Sequence, residues 1–396
     1  MIERIQQDIR GLLQLFKTSY RHWTTGRAIR IKFRAAQRSG EKIILDDFGP
    51  PIPRPKAHEP VADFSPNTQV KDRKAKFMTL EAYPSIDYAF EFKNPPVSGN
   101  YINGLNESEH RLASPIFHTW AYGHPMGKLE FLFQGIRTPA EWIALLKRQW
   151  NTRLFKGEKA PLRQPVDDPA TMTGQIKTLT LELGAVMVGI APLTDDMLKD
   201  THPLDYPYVI SFGVEMDRDA ALQAPSVHAG LMIQAEYRMT DHISTKIANH
   251  IRSLGWDAEA AIHSMLQIPA AVEAGLGQLG KHGSMISKEL GSMYRLGAVV
   301  TNLPLVIDSP EEIGVDDFCA RCQVCVTNCP PHAIFDIKQM VRGRERWYVD
   351  FDKCIPYFVE NHGCGICIGV CPWSEPGRGE SISLKMLAQV GKTEVA

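Results

Sequence analysis

The chain has no cysteine before position 319, no long apolar run and no excess of charge of either sign. Without a stretch of about 18 apolar residues, the sequence offers no transmembrane helix. The first residues show neither a short apolar core with a small-residue cleavage site nor a twin-arginine pair, so the expected location is cytoplasmic. Lys and Arg number 44 against 45 Asp and Glu. No overall field therefore favours nucleic acid or an acidic partner. A reducing compartment also disfavours disulfides, and eight cysteines confined to Cys319–Cys371 do not read as scattered buried thiols.

The 396 residues are 44% hydrophobic, ordinary for a globular protein but more than one core usually holds, so two or three compact units are expected. The start is basic, with nine Lys or Arg from Arg4 to Arg38, and Ile5, Ile9, Leu12, Leu13 and Phe16 share a helical stripe. The spread of these charges fits a docked amphipathic helix with a solvated basic face better than a membrane-surface helix. Prolines at 50, 51, 53, 55, 60 and 66 mark an extended connector. Residues 85–135 are loop-rich, either lining a site or forming irregular surface.

From about 170 the pattern becomes regular. A helix is expected over Ile176–Leu183 and a buried strand over Ala185–Ile190. A second strand is expected over Tyr208–Val214, and a long helix over Met232–Leu254 with Ile243, Ile247 and Ile251 on one face, stopped by Gly255. A short helix from Pro269 leads into a glycine-rich segment, and Arg295–Leu303 reads as a third strand. The fold class is α+β, with a layered core at 166–312 between an N-terminal region at 1–165 and a cysteine-bearing segment at 313–376, followed by a tail at 377–396.

The cysteine spacing carries the chemistry. Cys319, Cys322, Cys325 and Cys329 form a Cys-x2-Cys-x2-Cys-x3-Cys run followed by Pro330; Cys354 stands apart; Cys364, Cys367 and Cys371 repeat the end of the pattern before Pro372. This is the spacing of two-cluster bacterial ferredoxins, in which the fourth cysteine of a run reaches across to the other cubane. Cys319, Cys322, Cys325 and Cys371 are therefore assigned to one [4Fe–4S] cluster, and Cys329, Cys354, Cys364 and Cys367 to the other. A zinc ribbon, the alternative for thiolate pairs, has no use for two Cys-x3-Cys-Pro endings. Two cubanes form a path for electrons, and a large α+β body suits a reaction centre at its end more than a bare carrier.

Glu273–Ile286 (Glu-Ala-Gly-Leu-Gly-Gln-Leu-Gly-Lys-His-Gly-Ser-Met-Ile), Gly291–Arg295, Thr301–Leu305, the upstream Val209–Asp217 and Ala235-Glu236-Tyr237, and the ending Cys371-Pro372-Trp373 together resemble the cobalamin-dependent reductive dehalogenases. The glycine-rich segment alone also resembles epoxyqueuosine reductase. The resemblance spans roughly 170–376. It implies a nitroreductase-like core holding base-off cobalamin beside a ferredoxin-like two-cluster domain. It also implies cofactor contacts at Gly275, Gly277, Gly280, His282, Gly283 and Ser284. The glycines would allow close approach to a flat ligand, or serve only turns and helix packing. The Asp-x-His-x-x-Gly cobalamin motif is absent, since Asp200-Thr-His202 lacks its glycine.

The resemblance further implies that Tyr237 donates a proton and that Arg295 assists it or holds the departing halide. A phenol is a reluctant acid at neutral pH unless a cation stabilises its anion. The family's third polar residue falls at Ile262 or His263, and His263 is the member able to share the role. The expected partners are an organohalide and an external electron donor, a ferredoxin or flavin-linked reductase. Neither nucleic acid nor a membrane segment is expected, and homodimerisation stays open. Two other functions fit the same motifs: a reductase of a non-halogenated substrate, epoxyqueuosine reductase-like, and an electron-transfer subunit without catalysis.

Overall fold

A computed structural model describes residues 98–114, 140–141, 143–144, 157–200, 204–262, 264–361 and 363–393. The basic N-terminal stripe, the proline connector and His263 lie outside the described residues.

The core is a four-stranded antiparallel sheet. Its strands are β1 (Met187–Pro192), β2 (Tyr208–Glu215), β3 (Ala258–Ala260) and β4 (Tyr294–Thr301), in the order β1-β2-β4-β3. Strand alternation sorts side chains into two layers. Ile210, Phe212 and Val214 of β2 join Ile190 and Val299 under helices α1 (Pro169–Glu182) and α2 (Val227–Ser253), against Ile176, Ile243, Ile247 and Ile251. Val209, Ala191, Ala298 and Val300 face the other way, onto Ala270 and Ala274 at helix α3 (Gln267–Glu273). The described core is thus three layers with mixed helix and strand.

The strand expected at Ala185–Ile190 lies two residues further on. The helix expected at Ile176 begins at Pro169, where the Asp168 side chain accepts from the amides of Ala170 and Thr171. The early turns carry Thr and Gly rather than an apolar stripe, so periodicity alone starts the helix late. Helix α2 likewise begins five residues before Met232, capped by Ser226, whose hydroxyl accepts from Ala229 N–H at 3.1 Å.

Beyond β4, helices α4 (Val315–Arg321) and α5 (Val324–Thr327) carry the first cysteines. A hairpin pairs Gln339–Val341 with Arg344–Arg346. Helices α6 (Phe351–Glu360) and α7 (Ile366–Gly369) carry Cys354 and Cys367. Residues expected to be a tail form helix α8 (Arg378–Thr393), and Ile382 on it is buried with Ile313, Val315, Cys319, Cys371 and Trp373. The fourth cysteines differ from each other. Cys371 caps a single 3-10 turn, Pro372–Ser374, with proline at its first position. Cys329 opens only a turn, closed by the His332 amide on its carbonyl at 3.0 Å; His332 takes a positive φ of 51° and leaves no helical path onward.

An N-terminal strap, 98–103, crosses to the cysteine segment. The Ser98 hydroxyl and Gly99 amide donate to Asp352. Asn100, fully buried, donates to Asp350 at 2.8 Å and accepts from Tyr348 and from the Phe351 amide. Burial holds both Asp350 and Asp352 above the usual carboxylate range. These neutral donors fix the start of the helix that bears Cys354.

Candidate functional site

The glycine-rich segment turns back on itself as a small hairpin, Gln278–Leu279 against Met285–Ile286. Gly277 has φ +154°, and a β-carbon there would stand 2.2 Å from the Ile286 carbonyl oxygen. Gly275, at φ +74°, meets the Ser309 carbonyl at 2.5 Å in the same sense. At Gly280 the space is filled by the Ile286 side chain. The room these three residues leave is therefore taken by the protein itself, and their first duty is backbone packing. Gly277→Ala should lower stability by about 3 kcal/mol or more. Gly174→Ala, in helix α1 with nothing within 4 Å, should raise it by about 0.5–1 kcal/mol. Thermal midpoints of the two variants against the parent chain check both.

His282 is buried with both ring nitrogens engaged. The Ser284 amide donates to Nδ1 at 3.2 Å, and Ser292 Oγ lies 3.3 Å from Nε2. Burial pushes its pKa down to about 4, so the ring is neutral and offers no free lone pair to a metal. A corrinoid that takes no axial imidazole from the protein fits this loop; one that requires it does not. Gly275, Gly283 and Ser284 are the half-buried members. A separate cavity of about 460 Å³ runs along Val186–Val188, Gly275–Gly277 and Leu290, and neither Tyr237 nor Arg295 lines it.

The structure brings Tyr237 and Arg295 together. Tyr237 projects from α2, and Arg295 stands near the start of β4, opposite Val214 on β2. The guanidinium carbon lies 4.6 Å from the centre of the tyrosine ring, within cation–π range and worth about 0.5–2 kcal/mol. Arg295 Nε is buried without a hydrogen-bond partner among the described residues. An unpaired buried donor beside a phenol is suited to an anion. Ile262, the other residue at the third position, is buried and apolar.

Nothing in the sequence pattern singles out Glu236, yet the structure adds it to this pair. Its carboxyl is pushed up to about 7, first by burial and then by the nearby charges of Asp217 and Glu215, against the opposing pull of the Asp217 amide and Arg295. The folded protein keeps a proton that the unfolded chain releases near 4.5. The associated stability is complete below about 4.5 and is lost as pH rises from there to about 7, on the order of 1–2 kcal/mol after allowance for partial exposure. Glu236→Gln removes the titrating group. Its thermal midpoint should gain on the parent's as pH rises from 5 to 8, and parallel curves would refute the assignment.

None of the eight cysteines is paired in a disulfide; Cys319, Cys325, Cys329 and Cys371 are buried and the rest half-buried. Burial raises the thiols of Cys325, Cys354, Cys364 and Cys367, and pushes Cys319 up to about 11 and Cys329 and Cys371 to about 12. Thiols so placed do not ionise alone; a bound metal must replace their protons. They influence one another in two groups. Cys325 feels Cys367 first and then Cys371, Cys319 and Cys322, while Cys354 feels Cys329, Cys364 and Cys367. The groups touch where Cys367 feels Cys371 and Cys325 feels Cys367. Backbone amides serve the sulfurs, as with Ala333 N–H on Cys329 Sγ at 3.3 Å, and others from Gly365, Ile366 and Trp373. Among the described residues, no three His, Cys, Asp or Glu side chains converge on one ion. A cubane instead spreads its four thiolates over four irons.

Tight contacts bind this segment to the core. Gly291 packs against the Trp373–Ser374 backbone, Ser292 N–H donates to Ser374 Oγ at 3.2 Å, and Arg218 pairs with Glu375 at 2.9 Å.

Eight cysteines gathered on one segment against a core of mixed helix and strand, and a match of residues 318–374 to the 4Fe-4S dicluster domain family, define an iron–sulfur protein. The chain is similar to reductive dehalogenases. It is 31% identical over 278 residues to tetrachloroethene reductive dehalogenase of Sulfurospirillum multivorans, covering 57% of this chain and 55% of that one. It is 30% identical over 149 residues to epoxyqueuosine reductase of Aliivibrio fischeri, covering 33% and 37%. Among solved structures it is similar to catabolic reductive dehalogenase NpRdhA in complex with 3-bromo-4-hydroxybenzoic acid, with TM-score 0.58 and 26% identity over 66% of this chain and 41% of that one. The chain spans about half the length of the first of these curated relatives. Among the described residues no helix is long and apolar enough to cross a membrane.

Proposed function

We propose that this chain is a cobalamin-dependent reductive dehalogenase, replacing a carbon–halogen bond by carbon–hydrogen with electrons relayed by two [4Fe–4S] clusters. The observation that carries the reading is the Arg295 guanidinium stacked on Tyr237, on a core anchored to the eight cysteines. The core is taken as nitroreductase-like, with the Gly283–Ser284 turn beside a base-off corrinoid. Bound cobalamin would supply the reducing centre for the carbon–halogen bond. The remaining work falls to the chain's own groups. Two electrons and one proton enter; a C–H bond and a halide ion leave. Tyr237 gives its phenolic proton to the carbon, and Arg295 stabilises the phenolate left behind. The buried Nε of Arg295 offers the halide a charged donor. An external ferredoxin or flavin-linked reductase would refill the clusters. The eight thiols, in their two groups, support a pair of cubanes with Cys319, Cys322, Cys325 and Cys371 on one and Cys329, Cys354, Cys364 and Cys367 on the other.

Anaerobic reconstitution with iron, sulfide and cobalamin, followed by metal analysis and halide release from a panel of aryl and alkyl halides, tests this. Halide release by a protein with about eight irons and one cobalt is expected. Loaded protein that releases no halide from any member would remove the reading. Glu236 favours one other. A carboxyl poised near neutrality is the acid expected of an epoxyqueuosine reductase-like enzyme, so an epoxide belongs in the same panel.

A further inference from the structure

Lys281 lies inside the glycine-rich segment but does not serve the turn. Its side chain is 1% exposed, and Nζ donates to the Cys322 carbonyl at 3.0 Å. The ammonium stands 5.0 Å from the centre of the Trp347 ring, and among the described residues no carboxylate pairs with it. The same residue's backbone amide donates to the Cys319 sulfur, and its charge favours the Cys319 thiolate. Lys281 therefore touches two ligands of one thiol set and none of the other. Lys338 also lies 5.7 Å from the Trp347 ring, but it is only half-buried and is paired with Asp316 at 2.5 Å. The indole in turn donates to Asp316 at 2.8 Å. One lysine is thus screened and neutralised; the other is buried with its charge uncompensated. A buried cation acts through a low dielectric and is poorly screened by salt.

We infer that Lys281 is a positioning residue that sets the reduction potential of the cluster held by Cys319, Cys322, Cys325 and Cys371, making it the easier of the two to reduce. The inference rests on the two-cluster reading but not on dehalogenation. Reduction adds one electron to a centre already negative with its four thiolates. A fixed positive charge beside it stabilises the reduced state more than the oxidised one. Because Lys281 belongs to the core and its partners to the cysteine segment, the core itself tunes the cluster docked on it.

The test is an anaerobic redox titration of the reconstituted full chain, followed by electron paramagnetic resonance. The Cys319-set signal is identified as the one lost on substituting Cys371. Lys281→Met should shift that cluster's one-electron equilibrium at least tenfold toward the oxidised form, about 59 mV or more. The other cluster should move less, Lys281→Arg should stay near the parent value, and Lys338→Met should change little. An unchanged potential, an equal shift of both clusters, or an arginine variant that behaves like methionine overturns the inference. If Lys281→Met does not hold its clusters, Lys281→Gln, which keeps a donor for the Cys322 carbonyl, decides alone by the same shift. A parent chain that loads fewer than two clusters would instead refute the two-cluster reading, before any variant is compared.

Discussion

Tyr237→Phe should lower organohalide turnover by about 10²–10⁴-fold while leaving iron, cobalt and both cluster signals unchanged. The substitution keeps the ring under the Arg295 guanidinium, and with it the stacking that orders the pair. Only the O–H is lost, so the experiment isolates proton donation from packing. Glu236→Gln is the natural companion. Its carboxyl lies beside the same arginine and holds its proton to about 7. In a dehalogenase driven by Tyr237, the glutamine variant should keep most of its activity. If the phenylalanine variant works and the glutamine variant does not, the acid is the carboxylate, and the epoxide-reducing reading takes over. Steady-state rates of the two variants on halide and epoxide substrates, side by side, separate the cases.

Cys371→Ala should remove one whole cluster, taking iron from about eight to about four per chain, and should bring turnover to background because the electron path is cut. Cys354→Ala should remove the other and leave the first spectrum. Both expectations follow from the proposed assignment, which gives Cys371 to the cluster of Cys319, Cys322 and Cys325 and Cys354 to that of Cys329, Cys364 and Cys367. A Cys371→Ala chain that retains both cluster signals would end the assignment. The substitution also reaches packing, since Cys371 shares a buried cluster with Trp373, Ile313 and Ile382. Iron content and the surviving cluster's signal, rather than stability, are therefore the measurements to read.

What was legible in the sequence follows how local each signal is. The iron–sulfur motif could be read because ligation to a cubane forces cysteines into short, repeated intervals. The long helix could be read because Ile243, Ile247 and Ile251 repeat on its sheet-facing side. Its first turn, and that of α1, were hidden, because capping by Ser226 and Asp168 precedes any apolar repeat. Tyr237 was reached only through family resemblance: periodicity gives a tyrosine on an amphipathic helix and no more. Its meeting with Arg295 joins a helix to the start of a distant strand, a contact no local pattern contains. Glu236 could not be read at all, because its retained proton comes from burial beside Asp217 and Glu215 rather than from residue type. Lys281 was one letter in a glycine run until the fold set it against the Cys322 carbonyl. The glycines themselves were read two ways, and the close carbonyls at Gly275 and Gly277 explain both residues without a ligand.

Cys325 lies on the four-residue helix Val324–Thr327 and Cys329 just beyond it, and the proposed assignment gives them to different clusters. The separation of the two clusters is thus held by one turn of covalent chain, which thermal breathing hardly stretches. The distance from the clusters to Tyr237 depends instead on noncovalent seams, such as Gly291 on Trp373 and Ser292 on Ser374. Tunnelling rates fall steeply with distance. Transfer between the clusters is therefore fixed in advance, and any gating of electron delivery by motion can act only at the second gap, where core and cysteine segment meet.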